Sequence, residues 1–281
     1  MKIYTEVASL QEEISRLKKS DHTIGFVPTM GALHNGHLSL ISQARKSAGI
    51  TVASIFVNPR QFNDPDDLRR YPRTPEKDAG MLEKAGCDML FMPDEKEIYP
   101  PDFHLDYKVG YLDELMEGKH RKGHFQGVVT VVYRLFRIVQ PDMAFFGEKD
   151  YQQYVIIRKM TEDLHLPVKV IPCPIIREPD GLAMSSRNQL LTPEHRAHAP
   201  LIARTMLGAR EKKFTMPLEQ VKQWVAETIN QDPYLELEYF EVVDSGTLLP
   251  VNTWDEKKSL IACIAVWAGK IRLIDNLKFS S

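Results

Sequence analysis

Two imidazoles three positions apart, His34 and His37, stand on either side of Gly36 and just after the loop Pro28-Thr29-Met30-Gly31-Ala32-Leu33. Such a pair can serve a metal ion or a phosphate, and it can equally be two structural histidines. No Cys or carboxylate follows at metal-ligand spacing. A strand before the loop and a helix after it would instead supply unpaired backbone N–H groups and the positive end of a helix dipole. Phosphate is the guest this stretch suits.

Three more groups carry side chains that would complete such chemistry. Gly147-Glu148-Lys149-Asp150 puts a lysine where a second helix begins, a compact charge for a phosphate oxygen, although a solvated charged turn reads the same. Ser185-Ser186-Arg187 offers two hydroxyls and a guanidinium fork, a phosphate clamp in the right setting and an ordinary loop otherwise. Gln61 and Gln153 matter because they are neutral. An amide orients a hydroxylated carboxylate without the charge pairing that would blunt it as a nucleophile, though most glutamines simply face water. The chain has neither a Gly-x-Gly-x-x-Gly nor a P-loop pattern, and no serine nucleophile elbow.

Alternating strands and helices must position these residues. After an amphipathic helix over 5–19, residues 24–27 read as a buried strand. A helix follows from about Gly36 with Leu38, Ile41, Ala44 and Ala48 inward, closing at Gly49. Strands are predicted at 51–57, 88–92, 143–146 and 168–176, and helices at 75–86, 126–139 and 150–164. Residues 63–73 read as a polar surface loop. Residues 93–123 lack clear periodicity, and the basic run at 119–122 reads as a solvated loop, with His124 as packing. The fold class is α/β, a Rossmann-like parallel sheet joined by right-handed crossovers.

After the turn Glu178-Pro179-Asp180-Gly181 the pattern changes to helices at about 193–213 and 217–230, then strands at about 236–243, 259–267 and 270–275. That predicts a smaller α+β C-terminal domain, 177–281, behind an N-terminal domain, 1–176. Ligands of open parallel sheets bind beyond the carboxyl ends of the strands. The polar clusters at 28–37, 58–61, 147–153 and 184–188 are expected to line one crevice there.

With 36 basic and 38 acidic residues the 281-residue chain has a net charge of −2, which gives no general attraction to nucleic acid or an anionic membrane. No run approaches the roughly 18 apolar residues of a membrane span, and the first residues lack a leader pattern, so a cytoplasmic protein is expected. Cys87, Cys173 and Cys263 are isolated and read as buried thiols.

Seven blocks, in order along the chain, resemble the pantothenate synthetase (pantoate–β-alanine ligase) family: Pro28 through Leu33 with His34-x-Gly36-His37; Phe56-Val57-Asn58-Pro59-x-Gln61-Phe62; Tyr71-Pro72-Arg73-Thr74; Gly123-His124-Phe125-x-Gly127; Phe146 through Gln153; Arg177-Glu178-x-Asp180 through Asn188; and Arg272-Leu273-Ile274-Asp275-Asn276. The His-x-Gly-His element alone would point only to the wider nucleotidyltransferase superfamily. Arg60, inside Asn-Pro-x-Gln, and Lys122, before Gly-His-Phe, depart from the family pattern by adding charge; Trp267-Ala268-Gly269-Lys270 is also less typical.

The resemblance implies that ATP and (R)-pantoate give a bound pantoyl adenylate, from which β-alanine displaces AMP to form pantothenate. It also implies Mg²⁺, a homodimer built through the N-terminal domain, and a C-terminal lid. By position, Met30, Gly31, Ala32, Leu33, His34, Asn35, Gly36 and His37 match the ATP loop, with His37 the family's catalytic histidine. Gly147, Glu148, Lys149, Asp150, Ile176, Met184, Ser185, Ser186 and Arg187 match further nucleotide contacts, Ile176 bordering adenine. Gln61 and Gln153 match the substrate-binding glutamines, and the metal ligands are not identified. His34, His37, Lys149, Ser186 and Arg187 are expected to neutralise the triphosphate and the departing pyrophosphate; whether His37 gives a proton or only a hydrogen bond stays open. Two other readings stand beside this one: a nucleotidyltransferase moving AMP onto a phosphate ester, and a nucleotide-binding regulatory protein without activity.

Overall fold

The computed structural model describes residues 1–255 and 257–279. Residues 256, 280 and 281, which the sequence assigns to the C-terminal domain, lie outside the described residues. The first part of the chain runs β1 (Lys2–Tyr4), α1 (Val7–Lys19), β2 (Ile24–Thr29), α2 (Asn35–Ser47), β3 (Ile50–Ile55), α3 (Pro65–Arg70), α4 (Pro75–Lys84), β4 (Met89–Phe91), α5 (Glu95–Ile98), α6 (Met116–His120), α7 (His124–Val139), β5 (Met143–Gly147), α8 (Tyr151–Asp163) and β6 (Lys169–Cys173). It continues with α9 (Pro193–His198), α10 (Leu201–Glu211), α11 (Leu218–Asn230), β7 (Glu236–Asp244), β8 (Leu260–Ala268) and β9 (Ile271–Lys278). The chain divides into two compact units: Met1–Glu148 with Gln152–Pro174, and Lys149–Tyr151 with the chain from Ile175 onward.

In the first unit six strands lie in the order β1-β4-β3-β2-β5-β6, every pair parallel. A strand covered by helices on both faces must be apolar throughout, and Ile24, Phe26 and Val27 of β2 are fully buried. From β2 the chain steps to β3 and β4 on one side, then returns past β2 to β5 and β6 on the other. The strand order therefore reverses between β2 and β5, which opens a crevice at their carboxyl ends. The second unit is an antiparallel sheet, β7-β8-β9, whose Phe240, Ile264 and Leu273 pack with Met206 of α10 and Val221 and Val225 of α11.

Four local expectations need correction. Residues 63–73 contain a helix, α3, because Asp64 accepts the Asp66 N–H and Pro65 sits at the first helical position, where its missing donor costs nothing. The helix expected over 193–213 is two, since Pro200 cannot supply an N–H to continue α9. In α2 the residues turned to the core are Leu40, Ile41 and Ala44, while Leu38 is half-buried and Ala48 is already the C-cap. The short strand β1, paired with β4, was not expected.

Candidate active site

The loop 30–37 leaves the carboxyl end of β2 through two left-handed residues, Gly31 (φ 78°) and Ala32 (φ 50°). An alanine there is strained, and the strain is held by Asp78, which is 1% exposed and accepts the N–H groups of Ala32 and Leu33, each at 2.8 Å, and the Thr74 hydroxyl at 3.1 Å. Thr29 ties the loop to β3 by donating its hydroxyl to the Ser54 carbonyl (2.8 Å) and accepting the Gly31 N–H. Nothing in the sequence singles out Asp78, because the loop N–H groups it accepts lie 46 and 45 residues away.

His34 is the N-cap of α2, its Nδ1 accepting the Gly36 N–H at 3.1 Å. His37 reaches back one turn, its Nδ1 accepting the His34 N–H at 3.3 Å, and the two ring centroids are 4.1 Å apart. This is a capping box in which imidazoles replace the usual hydroxyl and carboxylate. An Nδ1 that accepts an N–H carries no proton, so in each neutral ring the proton sits on Nε2. Both histidines thus have their backbone-facing nitrogen spent and an N–H donor on the opposite edge. Asn35 and Gly36 form the first helical turn between them.

Beyond β3, Asn58 caps the short turn Pro59–Gln61, its Oδ1 accepting the Arg60 N–H. Gln61 is 7% exposed; its Oε1 accepts from Asn58 Nδ2 (3.1 Å) and its Nε2 donates to the Met30 sulfur (3.1 Å). Gln61 and Met30, the first residue of the loop 30–37, are therefore in contact. α7 lies against this turn so closely that a Cβ on Gly127 would come within 2.2 Å of the Arg60 carbonyl. His124 of α7, buried, donates from Nδ1 to the Gln61 carbonyl (2.7 Å), and its Nε2 takes an N–H from Arg121 (3.1 Å). The Arg60 guanidinium stacks on the Tyr99 ring, 3.6 Å from its centroid.

A cavity of about 540 Å³ adjoins this region, lined by Met30, Gly31, the end of β3 at Ile55, and Arg73, Thr74, Met92 and Glu95. Gly147 closes β5, Glu148 starts a short turn, and Gln153, half-buried, lies in the first turn of α8. Its neighbour Gln152 is framework: Oε1 accepts the Glu117 N–H and Nε2 donates to the Leu112 and Leu115 carbonyls.

In the second unit Asn276 holds the Lys149 carbonyl (2.9 Å), and Lys149 Nζ stands 3.9 Å from Asp150 Oδ1. Arg177 makes a two-pronged pair with Asp275, 2.7 and 2.9 Å, and also donates to the Gly181 carbonyl. That pair anchors the hairpin in which Met184 N–H returns to the Ile176 carbonyl (3.0 Å), so the half-buried Ile176 and Met184 are neighbours. The hairpin delivers Ser185, which caps Arg187 N–H, and the buried Ser186. Cys87 and Cys173 are free and buried; burial pushes both thiols up to about 11, and they stay protonated at neutral pH.

A helix start capped by two histidines beyond the switch point of a parallel sheet marks an α/β protein whose crevice suits an anion. The model of the pantoate–β-alanine ligase family matches residues 2–278. A pantothenate synthetase of Porphyromonas gingivalis is 51% identical over 280 residues, covering 99% of either chain. A solved pantothenate synthetase from Thermus thermophilus has 43% identity and a TM-score of 0.93, with 100% of both chains covered. A pantoate–β-alanine ligase from Francisella tularensis, solved in complex with beta-gamma ATP and β-alanine, has 36% identity and a TM-score of 0.82, with 99% of this chain and 98% of that one covered.

The chain belongs to the pantoate–β-alanine ligase family, enzymes that condense pantoate with β-alanine using ATP. Among the described residues no helix is long and apolar enough to cross a membrane.

Proposed function

We propose that the chain makes pantothenate through a pantoyl adenylate. The pantoate carboxylate oxygen attacks the α-phosphorus of ATP, the bond to pyrophosphate breaks, and a mixed anhydride forms. The β-alanine amine then attacks the acyl carbon, AMP leaves with the bridging oxygen, and the amine gives up a proton. The nucleophile belongs to the substrate, so the protein acts by orientation and by stabilising charge.

The observation that carries this reading is the histidine pair. His34 and His37 stand three positions apart at the start of α2 with Nδ1 of each ring accepting a backbone N–H, which puts the proton of the neutral ring on Nε2; they are the residues assigned to the phosphates, His37 acting as a hydrogen-bond donor without first gaining a proton. Loop residues 30–36 bind ATP with them. Gly147, Glu148, Lys149, Asp150, Ile176, Met184, Ser185, Ser186 and Arg187 complete the nucleotide contacts, Ile176 on adenine and Arg187 on phosphate. Gln61 and Gln153 hold the substrate.

A Mg²⁺ ion accompanying the nucleotide would be held on this chain by Asp150. Among the described residues no cluster of three or more metal-ligating side chains stands ready as a cage, whereas the half-exposed Asp150 carboxylate fits an ion that keeps its waters and borrows phosphate oxygens. The chemistry such an ion supplies when bound is neutralisation of phosphate charge. The enzyme is cytoplasmic and a homodimer through its N-terminal part. Supporting the dimer, residues 102–109 join neither sheet yet alternate in exposure, with Phe103, Leu105, Tyr107 and Val109 inward and Asp102, His104, Asp106 and Lys108 outward, the pattern of a strand able to pair with a second copy. Asp106→Pro should then give monomers in sedimentation; an unchanged dimer removes this segment from the interface.

Pantoate-dependent ATP–pyrophosphate exchange, with ¹⁸O passing from the pantoate carboxylate into AMP, tests the route. Exchange that ignores pantoate would instead favour transfer of AMP onto another acceptor.

A further inference from the structure

Asn58 is 1% exposed, and its carboxamide is bracketed by backbone groups that leave no choice of orientation. The Arg60 N–H can only donate, so the atom it meets at 3.2 Å is Oδ1; the Gly127 carbonyl can only accept, so the atom at 3.1 Å is Nδ2. Nδ2 also meets Gln61, whose facing atom must accept and is therefore Oε1. The Gln61 nitrogen is left as the end that can meet a substrate. Its present acceptor, the Met30 sulfur, is weak and readily exchanged for a substrate oxygen.

The remaining anchor of this relay is Tyr99, whose hydroxyl donates to Asn58 Oδ1 at 2.8 Å from 41 residues along the chain. The Tyr99 ring is held edge-on by Phe56 (centroids 6.2 Å apart), tilted against Phe103 (6.0 Å), and covered by the Arg60 guanidinium. Clamped this way, the hydroxyl is fixed in place. Burial raises the phenol's pKa, against which the Arg60 charge acts, and it remains an O–H donor at any working pH. Arg60, which departs from the family pattern, thus has a partner in this chain.

We propose that Tyr99 is a positioning residue for pantoate: through Asn58 it holds Gln61 with the amide nitrogen presented to an acceptor oxygen of the substrate. This rests on the reading of Gln61 as a pantoate-binding residue. Without the hydroxyl, Oδ1 keeps one donor of two, the Asn58 amide tilts, and Gln61 loses its fixed aim.

Tyr99→Phe keeps the ring, its aromatic neighbours and the Arg60 stack. The expected result is a rise of about fivefold in KM for pantoate, the worth of one hydrogen bond, with KM for ATP unchanged. In a Gln61→Ala background the same substitution should add nothing, because its effect passes through Gln61. An unchanged pantoate KM overturns the proposal, as does an equal change in the constants for all three substrates, or an effect that persists in full beside Gln61→Ala. The underlying assignment has its own arm. If Gln61→Ala alone leaves pantoate KM untouched, Gln61 is not a pantoate ligand, and that outcome does not depend on Tyr99.

Discussion

Gln61 and Gln152 are both buried amides beyond the carboxyl ends of parallel strands, and their surroundings differ in one respect. Gln152 spends both ends on backbone: its oxygen takes the Glu117 N–H, and its nitrogen serves the Leu112 and Leu115 carbonyls. Gln61 has only its oxygen locked, by Asn58, while its nitrogen rests on a methionine sulfur. The first arrangement ties the irregular segment 110–117 to α8 and has no capacity left. The second holds a donor in fixed aim against a replaceable acceptor. A buried polar side chain with one end committed and the other exchangeable is what a binding site requires; one with both ends committed is framework.

The same substitution at the two positions gives the largest contrast. In Gln152→Glu a carboxylate oxygen would face two carbonyl oxygens out of water, and a loss of about 3–5 kcal/mol in urea unfolding is expected. In Gln61→Glu one oxygen still takes the Asn58 N–H while the other turns negative charge toward the site proposed for the pantoate carboxylate. Here pantoate KM should rise on the order of 10²-fold with stability changed by about 1 kcal/mol. Similar unfolding curves for the two variants would dissolve the distinction.

The histidines extend it. His124 is buried framework, its nitrogens taken up by the Gln61 carbonyl and the Arg121 guanidinium, whereas His37 is only half-buried and caps the start of α2 through Nδ1. His37→Ala is expected to lower the rate of pantoate-dependent exchange by about 10²–10³. Near-normal exchange would make His37 a helix cap and nothing more. Among the arginines, Arg177 is the framework case. Arg177→Ala leaves Asp275, 3% exposed, without its cation and should cost about 2–4 kcal/mol of stability in denaturant unfolding.

These differences explain what could be read in advance. Long runs with one apolar face, such as α7 and β2, announce themselves because burial dictates their pattern over many residues. The three-residue β1 and the short helices α3, α5 and α6 carry too few residues for any period, and their ends are set by caps and neighbours. At the site, side-chain chemistry made His34, His37, Gln61 and Lys149 candidates, since those types can do the work. The residues that aim them, Asp78, Asn58 and Tyr99, act across 41 to 46 positions or within a single turn, where no spacing rule applies. Side-chain chemistry alone gives no reason to choose Gln153 over Gln152, and only the resemblance to the family singled out Gln153, because the number of committed ends is a property of the fold.

The smallest expected effect lies on the surface, where full commitment has little energetic consequence. Glu13 accepts from Arg16 Nε and from Lys2 Nζ, each at 2.8 Å, as completely engaged as Gln152, yet both cations are about two-thirds exposed. The hydrogen bonds from Arg16, then from Lys2, hold its carboxyl at about 2, below its ordinary value of 4.5. A carboxylate with a depressed folded-state pKa contributes stability above about pH 4.5 and loses it as the pH falls toward 2. Glu13→Gln should therefore cost under about 1 kcal/mol at pH 7, less at high salt, and the gap to the parent enzyme should close between pH 4.5 and 2. A gap as large as that of Gln152→Glu, or one that survives at pH 2, would mean that counting committed ends matters more than where water is excluded, and the contrast between the two glutamines would then need another cause.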